Sequence, residues 1–211
     1  MSVNTSDRAP ARSRAATRER ILASGTALFA ERGLHDVTSH DIASDAGVAA
    51  GTFYLHFPDK QTLFREIVFQ AVAELRQGLQ EARAAGRGVE QVVRMQAEVL
   101  LSFAEQRADL VRILFGRDSE ARGLGADVLD HLAEGARERV AADQRQGTTP
   151  GSVDADVAAQ AIVGMWSRVL AWWVEDPSRA GREQLIDTLT TFELSGVFPV
   201  RARSAVDARS D

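Results

Sequence analysis

The 211-residue sequence predicts an all-α protein of about nine helices, and three observations carry that prediction. Apolar residues recur at a 3.6-residue spacing in one segment after another. No segment alternates apolar and polar residues over a strand length with β-branched enrichment. Glycine and proline fall between the periodic segments, where helices must stop.

Residues 1–13 are polar, contain Pro10 and show no periodicity, so they read as a flexible arm. From about Ala15, Ile21, Leu22, Leu28 and Phe29 keep helical spacing until Gly33 caps the run. Thr38 or Ser39 caps a short helix through Ala46, stopped by Gly47. A second short helix covers roughly Ala50 to His56. Pro58-Asp59 then opens a long amphipathic helix, about 59–85, carrying Leu63, Phe64, Ile67, Val68, Ala71, Val72 and Leu75. Beyond Gly86-Arg87-Gly88 a larger set follows, near 89–106, 108–115, 119–146, 153–175 and 182–196. Gly116, the stretch Gly147-Thr148-Thr149-Pro150-Gly151, and Asp176-Pro177 separate them. Residues 199–211 are polar again and read as a loose tail.

Composition narrows the class. Cysteine is absent, which removes disulfides and thiolate metal sites and fits a reducing cytosol. The first twenty residues hold no apolar core, so no secretory signal is expected. The longest apolar stretch, 161–174, is interrupted by Ser167 and Arg168 and is too short to cross a bilayer. A cytoplasmic protein without a membrane partner is expected. The net charge of −5 argues against a nucleic-acid binder, but its distribution is uneven. Residues 1–60 balance seven basic against seven acidic groups, and the rest of the chain carries the whole deficit.

The stretch from Gly47 to Lys60, GVAAGTFYLHFPDK, holds the chain's single tyrosine and single lysine; every other basic residue is arginine. It lies in a helix, tight glycine turn, helix pattern, the arrangement that lays a second helix in a DNA major groove. Phe53 and Phe57, four residues apart, would pack inward on Ile42 and Ala43, leaving Ala50, Gly51, Tyr54 and Leu55 facing elsewhere. Thr52, Tyr54 and His56 have donors of the length that reaches phosphate oxygens. Lys60 adds a cation in the first turn of the next helix.

Residues 17–64 closely resemble the N-terminal DNA-binding domain of the TetR family of transcriptional regulators. The resemblance rests on Ala27-Leu28-Phe29 with Gly33, on Thr38 and Ile42-Ala43, and on Ala46-Gly47-Val48 in the turn. Gly51-Thr52-Phe53-Tyr54, His56-Phe57 and Lys60 complete it. It implies a helix-turn-helix domain over 14–60, with its connecting helix at about 59–85, and a ligand-binding and dimerisation domain over 86–198. It also implies a homodimer that binds a palindromic double-stranded operator, acts as a repressor, and is released by a small-molecule effector. By position, Thr38, Tyr54, His56 and Lys60 would contact phosphates, while Ser39, His40, Ala50, Gly51 and Thr52 would approach bases. Two features depart from the family pattern: alanine at 49, where serine is common, and alanine at 50, where a polar or basic residue is common. Base recognition is therefore expected to lean on Thr52, His40 and the Arg12/Arg14 arm, with Ala50 or Leu55 touching thymine methyl groups.

Beyond the head, Ile162, Trp166, Val169 and Trp173 fall in one arc of their helix, and Ala161, Met165, Arg168 and Trp172 about a quarter turn away. That apolar surface is wider than one core needs. With Leu185, Leu189 and Phe192 of the last helix, residues Met165, Arg168 and Trp172 are the dimer-interface candidates. An effector of largely apolar or aromatic character would sit among Met95, Val99, Phe103, Leu114, Phe115, Met165, Trp166 and Trp173. Arg94, Arg112 and Arg168 could meet an anionic group there, or equally Glu98 and nearby carboxylates. No catalytic constellation, cofactor fingerprint or metal-ligand spacing is present, so no enzyme activity, cofactor or metal is expected. Two alternatives stay open: a helical small-molecule-binding or catalytic protein whose head does not read DNA, and an activator.

Overall fold

The structure, a computed structural model, describes residues 8–116 and 121–197. Among them are nine α-helices and no strand: α1 (Arg8–Arg32), α2 (Ser39–Asp45), α3 (Ala50–His56), α4 (Lys60–Ala85), α5 (Val89–Gln106), α6 (Ala108–Phe115), α7 (Arg122–Arg145), α8 (Ala155–Glu175) and α9 (Arg182–Val197). A 3₁₀ turn, Pro177–Arg179, links the last two.

The first helix starts at Arg8, not near Ala15. Pro10 lies in its first turn, where a backbone N–H has no intrahelical acceptor to lose. Residues 1–7 of the expected arm and the expected tail over 199–211 lie outside the described residues. Caps explain the sharp starts downstream. Thr38 and Asp41 form a reciprocal capping box on α2, and the Asp59 carboxylate accepts from the Thr62 N–H at 2.6 Å to start α4. Gly47 turns the chain between α2 and α3 at φ +64°, a conformation costing any other residue about 1 kcal/mol.

Two apolar clusters fill the interior. One joins α1–α4 to parts of α6 and α7, with Ile21, Phe29, Ile42, Phe53, Phe57 and Phe64 almost fully buried. The other joins α5, α8 and α9, around Leu101, Trp166, Leu170 and Ile186. Phe103 and Phe115 pack against both. The 26-residue α4 runs from the first cluster toward the second and is the longest helix among the described residues. Helix α8 is long and apolar enough by composition to cross a bilayer, beyond the 161–174 stretch seen in sequence, yet one face packs in the second cluster.

Candidate nucleic-acid interface and ligand cavity

Helix α3 is split sharply between inside and outside. Phe53 and Phe57 are buried, while Tyr54 and Leu55 are 58% and 72% exposed. Ala50 and Gly51 are exposed, and Thr52 and His56 half-buried. A Cβ added at Gly51 would meet nothing within 4 Å, so nothing inside the chain demands glycine there. Tyr54 stands edge-on to Phe53, and its hydroxyl has no hydrogen-bond partner among the described residues. His40 is exposed on α2 beside half-buried Ser39. Ala49 occupies the N-cap of α3 without a side-chain hydrogen bond, as expected of an alanine. Arg14 lies on α1 and not on a loose arm, and the Arg12 side chain is outside the described residues. Burial first, then the charges of Arg14 and Arg18, hold the His56 pKa below its ordinary value.

Two of the phosphate candidates have their donors engaged within the chain. The Lys60 ammonium donates to the carbonyls of Leu34 (2.7 Å), His35 (3.0 Å) and Val37 (2.7 Å). All three N–H donors are thereby spent bracing the α1–α2 connection. The Thr38 hydroxyl donates to the Asp41 carboxylate at 2.6 Å and accepts from the Asp41 N–H, so its one proton is also committed. The bond from the Thr38 hydroxyl first, then one from the Thr38 N–H to the same carboxylate at 2.9 Å, lower the Asp41 pKa.

Arg18 joins the head to the connecting helix. Its guanidinium lies 5.0 Å from the centre of the Phe57 ring and pairs with Glu66 of α4.

A cavity of about 210 Å³ lies at the seam of the two apolar clusters, walled by α4, α5, α6, α7 and α8. Of the pocket candidates, Phe103, Leu114, Phe115 and Trp166 line it. Met95, Val99, Met165 and Trp173 do not. Met95 and Val99 border an open groove between α4 and α5, and Met165 is half-buried against the second cluster without lining the cavity. The Trp173 indole N–H is directed to the Pro177 and Ala180 carbonyls. Sequence reasoning missed the α4 and α7 walls, which carry Val72, Leu75, Arg76, Leu132 and Arg139. It also missed Glu193, which is 5% exposed, pairs with Arg139 at 2.8 Å and accepts from the Trp166 indole at 3.1 Å. Arg83 pairs with Asp143 at 2.6 Å. Arg94 instead binds Asp187 and Glu183 of α9, and Arg112 the Val174 carbonyl, both away from the cavity.

The dimer-interface candidates divide as well. Leu185 and Leu189 are 6% and 5% exposed, filled against α5, and so belong to the monomer's own core. Arg168 and Phe192 are exposed, and Met165 and Trp172 half-buried. Val157, Ala161 and Gly164 extend the exposed strip of α8 at intervals of three or four residues.

The family description "Bacterial regulatory proteins, tetR family" matches residues 21–67, which run from α1 into α4. An uncharacterized HTH-type transcriptional regulator of Bacillus subtilis, YdgC, is 28% identical over 79% of this chain and 88% of its own length. The probable acrEF/envCD operon repressor of Escherichia coli is 27% identical over 75% of this chain and 76% of its own. The fold is shared with Bacillus subtilis FadR, solved in complex with stearoyl-CoA, at TM-score 0.71 and 19% identity over 85% of this chain and 98% of that one. With the matched segment forming the capped α2–turn–α3 unit and helices continuing through the rest, the chain is a transcriptional regulator of the TetR family.

Proposed function

We propose that the protein is a ligand-responsive repressor that binds a palindromic operator as a homodimer and lets go when a small molecule fills the seam cavity. One observation carries the reading: α3 is anchored by Phe53 and Phe57 while it holds Tyr54 and Leu55 almost free in solvent. A helix that exposes a tyrosine and a leucine together, beside Gly51 with open space around it, is built to meet another molecule. The residues assigned to DNA are Ser39, His40, Ala50, Gly51, Thr52, Tyr54, Leu55 and His56, with Lys60 and Thr38 holding the scaffold beneath them.

The α8 strip of exposed Val157, Ala161, Gly164 and Arg168, flanked by half-buried Met165 and Trp172, with exposed Phe192 of α9, supports pairing of two copies in this region; small residues let helices approach closely. Residues 14–60 act as the reading head and 86–198 as the ligand-binding and pairing body, in the cytoplasm and without catalytic work. A dimer must present its two α3 helices about 34 Å apart to enter successive major grooves. Helix α4 spans from the head to the cavity wall, so a ligand that displaces it changes that spacing. Its preference for the released form sets the coupling, typically about 1–3 kcal/mol.

Selection of random double-stranded DNA on the purified full chain tests the reading. Retention of a palindrome with two half-sites about one helical turn apart is the expected result. No enrichment by folded, dimeric protein, with and without candidate ligands, would overturn it and favour a ligand-binding protein whose head no longer reads DNA.

A further inference from the structure

Three arginines line the seam cavity, and they are not equivalent. Arg83 is neutralised by Asp143 and Arg139 by Glu193. Arg76 has no carboxylate partner among the described residues; its Nη1 meets only the His131 Nε2, at 2.6 Å. A guanidinium nitrogen can only donate, so the His131 Nε2 is the acceptor there, and an imidazole supplies no negative counter-charge. The His131 ring is held in turn by Phe69, 6.3 Å away centre to centre and nearly perpendicular. The Arg76 Nε and Nη2 lie 3.9 Å from where a Cβ would stand on Gly135. A longer side chain at 135 would cover these donors; glycine leaves them open. A largely apolar cavity thus holds one half-buried cation with open donors and no carboxylate within ion-pair distance; Glu138, the other carboxylate of the lining besides Glu193, is exposed and does not pair with it.

We propose that the effector is an amphipathic anion whose carboxylate, or a group of like charge and shape, is taken by Arg76 while its apolar body fills the space toward Phe103, Phe115 and Trp166. This rests on the reading of the cavity as the effector site and names the chemistry it selects. The volume of about 210 Å³ is the space of about seven waters at roughly 30 Å³ each, which suits a body of about eight carbons. Arg76 is on α4, so the charged end of the ligand grips the helix that leads to the reading head, and the apolar end bears on α5, α6 and α8. A neutral molecule of the same shape would fill the cavity without gripping α4.

The test uses three probes with one alkyl chain: octanoate, octanol and octylammonium, titrated calorimetrically into the full-length protein below their aggregation concentrations. Octanoate is expected to bind at least tenfold more tightly than either of the others. Arg76→Gln should bring octanoate and octanol within about twofold of each other, and Arg76→Lys should keep most of the preference, since it keeps the charge but not the bond geometry. Circular dichroism and unchanged octanol binding show that each variant is folded. Equal binding of octanol and octanoate to the native protein, or a preference surviving in Arg76→Gln, overturns the anionic assignment and leaves the cavity as an effector site. Failure of all three probes to bind overturns both readings.

Discussion

Replacing Lys60 with methionine separates two roles that the sequence alone would merge. The methionine keeps an unbranched apolar stem and removes the three donors to Leu34, His35 and Val37. The His35 bond is exposed, so water replaces it at little cost; the other two are part-buried. Counting about 1–1.5 kcal/mol for each of those two gives a loss of roughly 2–3 kcal/mol. For a chain of this size that corresponds to a fall in Tm of about 4–12 °C, read by circular dichroism at 222 nm. The salt dependence of operator binding, measured by fluorescence anisotropy, tests the other role. A lysine contacting phosphate contributes about 0.9 to the slope of log K against log salt, and its removal lowers the slope by that amount. With all three donors spent on carbonyls, the slope is expected to stay within about 0.3 of the native value in conditions where both proteins are folded, under the same relation. A slope lower by about one unit with an unchanged Tm would refute the reasoning and return Lys60 to the phosphate contacts.

Two further outcomes follow from the charged groups. Glu193→Gln leaves Arg139 uncompensated at 11% side-chain exposure and is expected to cost roughly 3 kcal/mol, the low end for breaking a buried pair because the cavity admits water; a Tm loss under about 2 °C would show that the pair is not a structural element. His56 has its pKa held below the ordinary 6.5 by burial and by Arg14 and Arg18, so its contribution to stability is complete above pH 6.5 and falls as the pH drops from there toward its folded value. DNA phosphates favour the protonated ring, so binding takes up a proton and affinity is expected to rise as the pH falls from 7.5 to 5.5. His56→Gln should flatten that rise, and a native profile that is flat or falling would remove His56 from the interface.

The head was legible in sequence because its signals are local. Gly47 marks a turn that needs positive φ, Thr38 and Asp59 open helices through side chains only three residues from their N–H targets, and Phe53 and Phe57 share a face by helical geometry. Exposure of Tyr54 and Leu55 follows from the same geometry once those phenylalanines turn inward. The helices of the body were legible for the same reason, since each is set by its own periodicity and stops.

What depended on partners far along the chain was not legible. Lys60 is 23 to 26 residues from the carbonyls it braces, and no periodicity brings them together. Whether an apolar helical residue meets a cavity, its own core or another chain depends on which neighbour packs over it: Leu185 and Leu189 lie under α5, whereas Phe192 of the same helix is exposed. By itself, the sequence determined an all-helical chain with a capped helix-turn-helix and the face that this unit turns outward, because backbone hydrogen bonding and side-chain spacing act within a few residues. The tertiary structure alone decided which arginine lacks a counter-ion, which leucines are interior and which helices wall the cavity. Burial and charge compensation are properties of surfaces that meet only when distant helices pack.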